Sequence, residues 1–85
     1  MMEDIRDILV KILKKEDPNF VEESLDVKYV QSYKNERYDV FGEFQGTHGV
    51  YEFAISFDRK GNVKRNHINL VRPSELDKEL HDKLK

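Results

Sequence analysis

Over residues 3–15, EDIRDILVKILKK, apolar side chains recur at Ile5, Ile8, Leu9, Ile12 and Leu13. The spacing i, i+3, i+4, i+7, i+8 predicts a helix with a single apolar stripe. Glu3, Asp4 and Asp7 fall in its first turns and Lys11, Lys14 and Lys15 in its last. That order complements the helix dipole at both ends. Pro18 stops the helix by disfavouring helical backbone at Asp17. Asp17 then caps a short turn, with Pro18 at its first position, that points Phe20 and Val21 inward.

From Asp26 the period changes to two. DVKYVQSY, YDVFGEFQ, VYEFAISF and NVKRNHINL read as strands, separated by the turns KNER, GTHG and DRKG. The GTHG glycines and Gly61 supply the backbone freedom that tight connections need. Placing Gly46 opposite Gly49 aligns Phe44 with Tyr51, Gly42 with Phe53, Val40 with Ile55 and Tyr38 with Phe57. Placing Tyr33 opposite Tyr38 aligns Gln31 with Val40, Tyr29 with Gly42 and Val27 with Phe44. Both turns thus predict one buried face, with Gly42 fitted between Tyr29 and Phe53. In PSELDKELHDKLK, Ser74 is an N-cap with Asp77 three residues on, and Leu76, Leu80 and Leu84 form a stripe. The expectation is an α+β fold in a single domain over 1–85. It is an antiparallel four-stranded meander with an N-terminal and a C-terminal helix packed on one face, in the order α-β-β-β-β-α.

The same register leaves Val30, Phe41, Ala54 and Arg65 as one row on the opposite face. Flanking rows read Lys28, Glu43, Glu52, His67 and Ser32, Asp39, Ser56, Val63. Phe41 therefore stands in a polar sheet, ringed by charges. The fourth strand breaks phase, because Val63 is odd while Ile68 and Leu70 are even. One face holds all three only with a bulge, expected near Asn66, a device that also protects an edge strand.

Composition narrows the function classes. The 85 residues are 38% hydrophobic and 38% charged, yet nine aromatics and clear periodicity argue against disorder. There is no cysteine, so disulfides, thiol nucleophiles and cysteine-based metal sites are excluded. The longest apolar run near the N-terminus is Ile8 to Val10, far short of a signal or membrane segment. A soluble cytoplasmic protein is expected.

A net charge of −2 excludes a general polyanion binder. Charge nevertheless segregates. Residues 1–26 carry eight acids and four bases, whereas 58–72 carry five bases against Asp58 alone. Arg59, Lys60, Lys64 and Arg65, with Phe41 as a stacking platform, are the candidate anion or nucleic-acid contacts. Glu43, Glu52 and Asp39 share that face and repel phosphate, and a solvated edge is the better account of the cations.

Glu43 opposite Glu52, with His67 beside them, is the only arrangement suited to acid–base work. It implies no pocket, and Lys28 reads as the salt-bridge partner of Glu43. His48, His67 and His81 lack metal-ligand spacing, so no metal or other cofactor is expected. The expected function is non-enzymatic contact with a protein, or with a second copy, through Val30, Phe41, Ala54 and Arg65. The alternative is weak nucleic-acid binding by 58–72.

The order helix, three strands, helix is similar to that of double-stranded RNA-binding domains, and GTHGVYEF resembles their loop–strand region. Those domains open their last helix with a lysine-rich motif. Here SELDKELHD is acidic where phosphate would lie, and the meander has a further strand. The resemblance therefore implies an order of elements and carries no function.

Overall fold

A computed structural model describes residues 2–34 and 36–76. It contains helix α1 (Met2–Glu16) and strands β1 (Val21–Tyr33), β2 (Arg37–Gly46), β3 (Gly49–Asp58) and β4 (Val63–Pro73). The strands form one open antiparallel sheet in the order β1-β2-β3-β4. The fold is α+β, one helix on a four-stranded meander. The expected C-terminal helix over 74–85 falls, beyond Leu76, outside the described residues.

Helix α1 buries Ile5, Leu9, Ile12 and Leu13, joined by Val10, against Val40, Phe44, Phe53, Ile55 and Phe57. Leu9, Leu13, Val40 and Phe57 are 0% exposed, and each such side chain contributes roughly 1.5–3 kcal/mol by leaving water. Phe44 centres an aromatic cluster: Phe20 meets it edge-on at 5.6 Å, and Tyr51 stacks on it at 5.2 Å. The β2–β3 register is the expected one throughout, from Gly46 opposite Gly49 to Tyr38 opposite Phe57.

Strand β1 departs from expectation. It begins at Val21, so residues 21–25 (VEESL) enter the sheet, and Val21 is exposed while Phe20, just before the strand, is buried. Tyr33 pairs with Arg37, Val30 with Val40 and Tyr29 with Phe41, one residue away from the expected register. The register then shifts at Lys28, and Val27 pairs with Gly42. This extra residue lets Val30 and Val27, three apart, both pack on the core, together with the buried Leu25. The reason lies at Gly42, which the carbonyl of Asp26 approaches so closely that a Cβ would collide with it. Phe53 Cζ would lie 3.0 Å from that Cβ. Gly42 accommodates the β1 backbone rather than the Tyr29 ring. A second irregularity lies between Val21 and Asp26, where the Ser24 hydroxyl accepts the Gln45 N–H at 2.7 Å.

Strand β4 does contain the bulge that its phase break requires, at Lys64 rather than near Asn66. Val63 pairs with Phe57, Ile68 with Phe53 and Leu70 with Tyr51, so all three lie on the helix-facing side. A further shift at Val71 follows.

The helix is tied to the β2–β3 turn by Asp17. Its carboxylate accepts the Thr47 N–H at 2.7 Å, the Thr47 hydroxyl, and the Asn19 N–H at 2.9 Å. It also lies against Gly46, where a side chain would displace it. Burial raises the Asp17 pKa, but the hydrogen bonds from Thr47 and Asn19 outweigh this, and the net shift is downward. A carboxylate with a depressed folded pKa stabilises the fold above its unfolded pKa, and that contribution disappears as pH falls through the folded value. Asp17→Ala is expected to cost about 1–2 kcal/mol at neutral pH. In urea titrations, the gap to wild type should narrow as pH is lowered from about 5 to about 2. A gap independent of pH would show that the carboxylate charge is not what holds the turn.

Candidate functional site

The strict alternation of β2 and β3 sends Asp39, Phe41, Glu43, Glu52, Ala54 and Ser56 to the face opposite α1. The shifted β1 adds Tyr29, which pairs with Phe41, and β4 adds His67, which pairs with Ala54. The central row is therefore Tyr29, Phe41, Ala54, His67. The two rings lie 5.9 Å apart, tilted by 46°. Tyr29 is 55% and Phe41 41% exposed, on a face that no described element covers. Beside the row is a shallow hollow of about 340 Å³, bounded by Lys28, Phe41, Glu43, Glu52, Ala54 and His67.

Two of the four expected contact residues move. Val30 is not on this face, because the pairing with Val40 turns it to the core. Arg65 stays on the face but stands opposite Ser56 rather than Ala54, since the bulge falls at Lys64. Phe41 and Ala54 are where the sequence places them. Tyr29, expected on the helix-covered side, is the residue that the sequence reading missed.

Charges ring the row. Lys28 Nζ lies 2.6 Å from Asp26 Oδ2, and this hydrogen bond and charge hold the Lys28 pKa above its ordinary value. Glu43 is paired with Arg72 at 3.6 Å, not with Lys28. The Asp39 carboxylate receives Arg37 Nε at 3.3 Å and the Ser56 hydroxyl. The Arg37 guanidinium also sits 5.9 Å from the centre of the Tyr33 ring. Glu43 does face Glu52, but the residue opposite Glu52 on β4 is Asn69, not His67. His67 Nε2 and Asn69 Nδ2 are 2.8 Å apart. Among the described residues no cluster of His, Asp or Glu has the makings of a metal site.

The basic segment is dispersed. Arg65 and Arg72 pair with Ser56 and Val50, residues of the open face. Lys64 lies 4.0 Å from Asp58, and Arg59 is exposed in the β3–β4 turn. Lys60 turns to the helix side, where it joins Lys11, Lys14 and Lys15 around a separate groove. Sequence order grouped Lys60 with its neighbours, whereas the fold groups it with the helix lysines.

No family model matches the chain, and no curated protein or solved structure matches it. No helix among the described residues is long and apolar enough to cross a membrane.

The two faces give phenylalanines of the same sheet different weights. Phe53, 3% exposed, should cost roughly 3–5 kcal/mol on truncation to alanine. Phe41→Ala should cost about 1 kcal/mol, the ring pairing with Tyr29. Thermal melts of the two variants compare them directly, and equal losses would mean that the open face is covered.

Proposed function

We propose that this chain is a non-enzymatic protein-contact module, and that the open sheet face is its contact surface. The observation that carries this reading is the pair of exposed rings, Tyr29 and Phe41, side by side on the adjacent strands β1 and β2 of that face. Aromatic anchors at the middle of a patch, bordered by polar groups, are the usual composition of an interface that binds through a few residues. Tyrosine also loses little rotamer entropy on docking. Four strands at about 4.8 Å spacing and about 33 Å of length present roughly 600 Å². That matches one side of a small stable protein–protein interface.

The rim determines what kind of surface binds. Arg37, Lys28 and Arg72 alternate with Asp39, Glu43 and Glu52, so the partner is another mixed-charge protein surface, a second copy included. Phosphate-rich partners meet three carboxylates on the same face, and the cations of 58–72 do not converge on the aromatic pair. Cytoplasmic location belongs to this proposal as well, as the compartment expected for such a cysteine-free module.

The test is partner capture from the source cells together with sedimentation velocity over a range of concentrations, on wild type, Tyr29→Ala and Phe41→Ala. Both variants should retain cooperative melts and lose roughly tenfold or more in association, as interface anchors do. Stable variants that associate as wild type would exclude the face. Labelled oligonucleotides that bind at low salt, and are lost on Lys64→Glu with Arg65→Glu, would replace this reading with nucleic-acid binding.

A further inference from the structure

The side of the molecule that carries α1 holds a second surface of different chemistry. Between the outer flank of the helix and the β3–β4 turn lies a groove of about 610 Å³. This is within the roughly 300–1,000 Å³ range of pockets that hold ligands of several functional groups. Its floor is aliphatic, formed by Ile8, Ile12 and Val63. Val63 faces the helix side through the Lys64 bulge, yet it is 43% exposed because the helix passes beside it rather than over it. Gly61 supplies the left-handed φ of 88° that the turn beside Ile8 requires.

Four lysines border that floor: Lys11, Lys14 and Lys15 along one flank of the helix, and Lys60 from the turn. None of their ammonium groups has a carboxylate partner among the described residues. Lys28, Arg37, Lys64 and Arg72, on the strands, all have one. The acid at the groove, Glu16, is engaged by Asn66 Nδ2 at 2.6 Å. Four ammonium groups against the single Glu16 carboxylate make the groove lining net positive in a molecule whose net charge is −2.

We propose that this groove docks an acidic segment of a partner protein that also carries an aliphatic side chain. The lysines complement the carboxylates, and Ile8, Ile12 and Val63 receive the aliphatic group. Nucleic acid fits less well, because the lining offers no aromatic ring for a base and no arginine for bidentate phosphate contact. It would also leave the aliphatic floor unmatched. The proposal is independent of the open-face reading, since the two surfaces share none of these residues.

Fluorescence anisotropy on the full chain tests it with three labelled probes. These are a peptide of Glu-Glu-Leu repeats, a polyglutamate peptide of the same length, and a single-stranded oligonucleotide of equal charge. The Leu-bearing peptide should bind tightest and weaken with salt. Its affinity should fall by roughly tenfold or more in Lys11→Glu with Lys15→Glu, and in Val63→Ser. Phe41→Ala should bind it unchanged. Lys15→Gln and melting curves separate lost binding from lost folding, since an exposed lysine truncated to neutrality leaves the melt intact. Equal binding of all three probes would overturn the proposal in favour of an indiscriminate anion patch. No binding of the Leu-bearing peptide at low salt would overturn it outright. Self-association abolished by the lysine reversals would overturn it in favour of a second copy.

Discussion

The close approach of the Asp26 carbonyl to Gly42 decides how the sheet presents its two faces. Any side chain at position 42 would strike that carbonyl. Its absence lets β1 draw in and take one extra residue, Lys28, against β2. A bulge moves every following side chain to the other face. Here it turns Val30 inward beside Val27 and Leu25, and turns Tyr29 outward beside Phe41. The same adjustment thus completes the core and creates the exposed aromatic pair. Without it, β1 would have to leave Val30 in water or take Val27 out of the core.

Strand β4 meets the same requirement in the same way. Its apolar residues Val63, Ile68 and Leu70 cannot share a face in a regular strand, and the bulge at Lys64 reconciles them. Each edge strand thus carries a lysine at one of its irregular positions, Lys28 in β1 and Lys64 in β4, which gives each edge a charge and a local twist that discourage further strand pairing. Between them, β2 and β3 keep unbroken register and bear the most deeply buried rings, Phe44 and Phe57. Asp17 fixes the remaining freedom by fastening the end of α1 to Thr47. The helix is then held along a line that leaves Val63 and Ile8 open on one flank.

How far the sequence predicts this depends on the range of the interaction. The β2–β3 pairing was legible because glycines at 46 and 49 bracket a short turn and the alternation on both sides is strict. The α1 stripe was legible for the same local reason. The β4 bulge was signalled by the parity of Val63 against Ile68, and only its position was off, by two residues. An equivalent signal in β1, Val27 and Val30 three apart, was masked because Val27, Tyr29, Gln31 and Tyr33 make a plausible alternating strand by themselves. Choosing between those phases requires knowing that the β1 backbone, and not a ring, fills the space over Gly42. The lysine groove was illegible because Lys60 and Lys11 are far apart in the chain and meet only because the helix lies beside the β3–β4 turn. Phe41 was legible as an exposed ring since its parity with Phe44 suffices, but its partner Tyr29 was not.

The arrangement stands on which ring lies next to Tyr29, and proton NOEs between assigned aromatic side chains measure that directly. NOEs are expected from the Tyr29 ring to the Phe41 ring, whose centres are 5.9 Å apart, and none to Phe53. NOEs from Tyr29 to Phe53 across Gly42, with none to Phe41, would contradict it. They would restore a regular β1 and remove the aromatic pair from the open face.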